Sequence, residues 1–373
     1  MKDRRLLRVL HAIPDPERED IEGDRGRRNT GCSAATFSIR LLLLLAASCT
    51  GSRSRDRRVE PEPLGSIPGV ESWVIQLQGL ERPGAIDALA SARADLFVLE
   101  ATRSVRGMES FPIRHVLRRI RSSNAGAFPC RLLAYVNVGQ AEDYRTYWSE
   151  RWRAPAAEGT ANPDYLLAPD PEGWPGNFVV RYWDERWQQV LFGRADSLID
   201  AALADGFDGA YLDWILGYQH PLVLEAARMD AVDPEWAMVE LIERLGTYAR
   251  EQDDDFMVIA QNALSLAEEI PDLLESIDGI CQEDVSFRGE SVGDWADPRA
   301  GDIERSGEGE DGTFALLERL RTVGARGKLV LTLDYAGVPA NVEVAMRRSR
   351  QHGLVPFVSR TPLDRLPMES ERP

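Results

Sequence analysis

The chain predicts an α/β domain, a single (β/α)8 TIM barrel, on three observations. Eight short apolar, β-branched runs follow one another between residues 73 and 358, helical periodicity fills the intervals, and polar residues collect where the runs end. An open doubly wound sheet is the alternative that the same alternation allows.

The first three runs are 73–78 (WVIQLQ), 95–101 (DLFVLEA) and 131–138 (RLLAYVNV). They are apolar throughout, as strands covered on both faces must be. Ile113, Val116, Leu117 and Ile120 form the apolar stripe of a helix between the second and third. The connection 139–184, rich in Trp, Tyr, Pro and Gly, is too long for a turn and follows a strand, so it belongs on the catalytic face. Trp187, Val190, Leu191, Leu198, Ile199 and Ala202 then predict one amphipathic helix closed by Gly206. The fourth run, 207–214, ends GAYLD and delivers the carboxylate of Asp213 to its C-terminal end. Asp233 and Pro234 open the helix of Trp236, Val239, Ile242 and Leu245. The fifth and sixth runs are 256–261 (FMVIAQ) and 278–283, and a second long connection, 286–312, is rich in Gly, Asp and Glu. Phe314, Leu317, Leu320 and Val323 mark the helix before the seventh run, 328–334 (KLVLTLD). Val342, Ala345 and Met346 mark the last helix, ended by His352 before Gly353, and 354–358 is the eighth run.

The length of 373 residues suits one barrel-sized core, placed at 70–367 with a tail at 368–373. Residues 1–58 hold 13 Lys and Arg against 8 Asp and Glu; the remainder holds 31 against 53, a net charge near −22. Such a body repels nucleic acid and anionic membrane and attracts cationic partners. Residues 41–48, five leucines then Ala46, Ala47 and Ser48, form an apolar core behind Arg27, Arg28 and Arg40 that is too short to span a bilayer. Small residues leading into Cys49 resemble the bacterial lipoprotein signal, in which that cysteine is lipidated; Ala46 stands where the signal usually carries Leu. The expectation is a leader over 1–49, a flexible tether over 50–69 rich in Arg, Ser, Pro and Glu, and an exported protein, either a lipoprotein of the cell envelope or secreted after plain cleavage. A long, acidic stretch over 1–25 implies a misassigned start or an atypical leader. Removing the leader leaves Cys130 and Cys281, either a disulfide or two buried thiols.

Polar residues stand at seven strand ends: Gln78, Glu100, Asn137, Asp213, Gln261 with Asn262, Glu283 with Asp284, and Asp334 with Tyr335. Together they describe an acidic mouth, and the chemistry natural to it is a carboxylate pair. Glycoside hydrolysis needs one acid to protonate the leaving oxygen and a second carboxylate to attack the anomeric carbon or activate water. Asp213 and Glu283, on the fourth and sixth strands, are the candidate pair. Tyr135, Arg145, Arg181, Tyr182, Gln261, Asn262 and Tyr335 are candidate substrate contacts, with Gln78, Asn137 and Asp334 beside them.

The succession LLAYVNVGQAEDYRTYW (132–148), WPGNFVVRYWDERWQ (174–188), GFDGAYLDWILGYQ (206–219), AQNA (260–263), DGICQED (278–284), LDYA (333–336) and FVSRTPLDRL (357–366) resembles the MJ1477/TM1410 family. That family is related to the endo-α-1,4-polygalactosaminidases of glycoside hydrolase family 114. The resemblance implies a (β/α)8 barrel with Asp213 as nucleophile and Glu283 as acid/base in a retaining, endo-acting enzyme. Related sequences often read Gly-Glu-Ala where this chain has Gly139-Gln140-Ala141, so either Glu142 or Asp143 substitutes for a missing third acid or the specificity differs.

Gly289-Glu290-Ser291-Val292-Gly293 also matches a serine-esterase elbow, with Asp334 and His352 following, but it lacks the strand before and the helix after that the elbow needs. His11, His115, His220 and His352 show no paired spacing and the four cysteines no CxxC, so no catalytic metal is expected. No GxGxxG or P-loop is present and no cofactor is expected. The expected partner is a polysaccharide or oligosaccharide, bound by a monomer; a non-catalytic sugar-binding barrel is the competing class.

Overall fold

A computed structural model describes residues 69–367 except 125–128, 153–161, 170–175 and 310. The expected leader, Cys49, nearly all of the tether and the tail lie outside the described residues.

Eight parallel strands form the sheet: β1 (Trp73–Gln76), β2 (Leu96–Glu100), β3 (Arg131–Asn137), β4 (Gly209–Asp213), β5 (Met257–Gln261), β6 (Gly279–Glu283), β7 (Leu329–Tyr335) and β8 (Val355–Ser359). Their spatial order is their chain order. A doubly wound sheet reverses direction at a switch point, and this one never does, so it curls into a nearly closed barrel. β8 comes back beside β1. There the indole N–H of Trp73 donates to the Val355 carbonyl at 3.0 Å and its ring meets Phe357 at 5.7 Å.

Helices cover the outside, and their buried residues are those that the periodicity marks. Ile113, Val116, Leu117 and Ile120 are all buried on the helix Ile113–Ser123. Val239, Ile242 and Leu245 are buried on Pro234–Gln252, where the Asp233 side chain caps two amides of the first turn. Two stripes are shorter than expected, because their first residues face solvent. Trp236 is 51% exposed and Phe314 is 53% exposed, the latter beneath the Arg348 guanidinium. The helix expected over 187–202 is two helices, Glu185–Leu191 and Leu198–Asp205. Phe192 is extended and Gly193 takes φ 91, so the chain turns between them while both halves keep their apolar face inward.

Both long connections follow strands, as expected. The one after β3 carries a three-stranded antiparallel sheet with Asn177–Val180 between Gln140–Glu142 and Leu166–Pro169. The one after β6 carries the two-residue pairing of Phe287–Arg288 with Ile303–Glu304. Cys130 and Cys281 are buried free thiols, so the disulfide alternative falls. Burial raises the Cys130 thiol to about 11, which makes it unreactive. Among the described residues no helix is long and apolar enough to cross a membrane.

Candidate active site

Strand pleat decides which residues reach the barrel mouth. In β4 the inward series is Gly209, Tyr211 and Asp213; in β6 it is Gly279, Cys281 and Glu283. Register places Asn137 of β3 opposite Asp213 and Leu333 of β7 opposite Glu283. The two acids thus stand at the ends of the strands on either side of β5, with Gln261 of β5 between them.

Asp213 is 5% exposed and its carboxylate is held at both oxygens. The Tyr135 hydroxyl donates to Oδ2 at 2.5 Å, and the Trp214 amide donates to Oδ1 at 2.6 Å. Burial, with the charges of Glu283 and Glu142 adding to it, raises this carboxyl to about 7. Glu283 is also buried. Its Oε2 accepts from the Gln261 and Asn262 carboxamides, the latter at 3.0 Å, and its Oε1 accepts from the Tyr335 hydroxyl. Asn262 sits at φ 51 and returns its carbonyl oxygen to the Glu283 amide at 3.0 Å. Asp284, beside it, leaves the strand at φ 56 with its backbone carbonyl accepting from Arg305.

Beside this pair lies a buried ion network. The Arg145 guanidinium donates to Glu100 at 2.6 Å, to Glu142 at 2.6 Å and to the Ser104 hydroxyl at 2.7 Å. Tyr144 donates to the other oxygen of Glu142. Burial raises the Glu100 carboxyl, and the Arg145 charge opposes that rise. Gln140 lies between the Asn137 and Asn177 carboxamides, at 3.3 and 2.9 Å.

Of the expected site residues, the structure brings together Asp213, Glu283, Tyr135, Asn137, Gln261, Asn262 and Tyr335. The others are engaged elsewhere. Arg145 belongs to the ion network. Arg181 pairs with Asp230 at 3.0 Å, and the Tyr182 hydroxyl donates to the Pro234 carbonyl at 2.6 Å. Asp334 faces away from Tyr335 by strand alternation, and its Oδ1 accepts from the Ser286 and Phe287 amides at 2.5 and 2.8 Å. Gln78 lies beyond β1, whose last residue is the buried Gln76. The esterase elbow fails on geometry: Ser291 lies in irregular chain, and His352 Nδ1 stands 2.8 Å from the Arg348 carbonyl. Sequence reasoning passed over Trp214 and the Glu100–Arg145–Glu142 network. The first has a signal, a bulky residue directly after a strand-end acid; the second depends on contacts 45 positions apart.

A barrel whose fourth and sixth strands end in buried, hydrogen-bonded carboxylates is an architecture that glycoside hydrolases use. The chain belongs to glycoside-hydrolase family GH114, whose profile matches residues 56–370. It is 30% identical over 306 residues to an uncharacterized protein of Deinococcus radiodurans, covering 82% of this chain and 85% of that one. In fold it is similar to the glycoside hydrolase domain of PelA from Pseudomonas aeruginosa, with a TM-score of 0.54, 19% identity and coverage of 80% and 98% of the two chains. It is equally similar to Aspergillus fumigatus Ega3 in complex with galactosamine, with a TM-score of 0.54, 13% identity and coverage of 83% and 96%. The protein is a glycoside hydrolase, and a carbohydrate is its substrate.

Proposed function

We propose that this glycosidase cleaves a polysaccharide containing galactosamine-type amino sugars, internally and at α-1,4 linkages, with Asp213 and Glu283 as the catalytic pair. The observation that carries the reading is the pair itself: two buried carboxylates, each held by a tyrosine hydroxyl, on strands separated only by β5. The substrate class is supported by the acidic body, which attracts an amino-sugar polymer, and by the galactosamine bound to Ega3. Tyr135, Gln261, Asn262 and Tyr335 hold the acids, and with Asn137 they face the bound sugar. Export through the leader, with Cys49 as lipid anchor or with free secretion, would place the enzyme where such polymers occur.

The sequence resemblance makes Asp213 the nucleophile and Glu283 the acid/base. The burial of Asp213 favours a second order. Glu283 accepts from three side-chain donors, whereas burial raises the Asp213 carboxyl to about 7, so that it holds a proton near neutrality. In that order Asp213 protonates the leaving oxygen and Glu283 faces the anomeric carbon.

Hydrolysis of defined oligosaccharides, read by mass, tests both levels. Asp213→Asn and Glu283→Gln should each lower kcat by about 10²–10⁴. Unchanged rates in both variants would remove the pair, and a wild type that binds glycans but never cleaves them would leave only the sugar-binding barrel. An aryl glycoside whose leaving group needs no proton separates the roles: the variant that lacks the acid keeps its activity, and the variant that lacks the nucleophile does not.

A further inference from the structure

Trp214 follows Asp213 directly and sits in the left-handed region at φ 62, ψ 33, an unfavourable conformation for a bulky side chain. Two glycines make room for it. A Cβ on Gly139 would lie 2.6 Å from ring carbon Cε3, and a Cβ on Gly217 would lie 2.5 Å from the same atom. The backbone amide donates to Asp213 at 2.6 Å, and the ring stands 5.5 Å from that of His220.

A tryptophan that serves the core buries its ring and satisfies its N–H. Trp73 and Trp187 do both, donating to the Val355 and Val138 carbonyls at 3.0 and 2.8 Å. Trp214 packs only partly against the core: its side chain stays partly exposed, and its indole N–H meets no acceptor among the described residues. An indole on the residue that follows the catalytic acid, fixed by a strained backbone and two bare neighbours with its donor unused, is suited to a ligand.

We propose that Trp214 is a specificity-determining residue, the platform on which one amino-sugar unit packs beside Asp213. A pyranose offers an apolar C–H face to the ring, an oxygen to accept from the indole N–H, and an ammonium that the π face attracts. The inference rests on the glycosidase reading above.

The test measures binding in the Glu283→Gln background, so that cleavage does not enter it. Calorimetric affinity for amino-sugar oligosaccharides should fall at least about tenfold when Trp214→Ala is added. Gly217→Ala, which displaces the ring without removing it, should weaken binding as well, and it decides the matter if Trp214→Ala does not fold. Thermal unfolding checks the fold of each variant. Unchanged affinity in a folded Trp214→Ala, or in Gly217→Ala where only that variant folds, overturns the role of Trp214 while wild-type cleavage leaves the glycosidase reading standing. A wild type that neither binds nor cleaves any amino-sugar oligosaccharide overturns both.

Discussion

Asp213 stands between two opposed effects. Its donors, Tyr135 and the Trp214 amide, favour the ionised carboxylate; burial and the neighbouring acids favour the neutral one and prevail. Because the folded state holds this proton up to about 7 and an unfolded chain releases it near 4, the native state binds more protons across that interval. Stability is therefore present in full below pH 4 and declines as pH rises to 7, by up to about 4 kcal/mol from this group. Asp213→Asn should flatten that decline and leave the protein more stable than wild type at pH 8, as urea unfolding at several pH values will show. Tyr135→Phe removes a donor to the charged form, so the limb of the pH–rate profile that belongs to Asp213 should move up by about one unit. Asp334 shows the limit of reading strand ends from composition. A polar residue there is visible in the sequence, but adjacent residues point to opposite faces, and of Asp334 and Tyr335 only the tyrosine reaches Glu283.

The strands that carry the acids share a design: an inward glycine four residues before each acid. A Cβ on Gly209 would lie 2.4 Å from the Met257 carbonyl oxygen and 2.7 Å from Leu133 Cδ2, and one on Gly279 would lie 2.4 Å from the Leu329 carbonyl oxygen. These bare positions let neighbouring strands approach at the foot of the barrel, and thereby set the height of Asp213 and Glu283. Gly209→Ala should cost about 1–3 kcal/mol in urea unfolding, with a loss of kcat beyond what the remaining folded fraction explains. The connection after β3 is anchored differently. Arg145→Met leaves Glu100 and Glu142 buried without their cation and should cost about 3–5 kcal/mol. The helices were legible because each needs only its own periodicity. The break over 192–197 was not, since apolar residues at helical spacing flank it on both sides and the positive φ of Gly193 exists only in the folded backbone.

At the scale of the molecule, the strongly acidic charge of the body acts through its field. Attraction of a cationic polymer weakens as salt screens it, with a Debye length near 10 Å at 0.1 M. KM for an amino-sugar polymer should rise several-fold between 20 and 200 mM salt (~21 to ~7 Å of screening), and KM for an N-acetylated, neutral counterpart should stay nearly constant. Flat behaviour of both would detach the charge from substrate choice.

Order and spacing along the chain were enough to determine the eight strands and the two acids that end strands four and six, with the barrel as one of two sheets they allow. Those properties depend on local periodicity and on which residue ends a run, and both are written in linear sequence. The partners of each acid, the engagement of Arg145 and Arg181 away from the mouth, and the exposure of Trp214 beside Asp213 were decided only in three dimensions. They arise from strand stagger and from loops that return across many residues, and a side chain's burial and hydrogen bonds exist only once those segments have met.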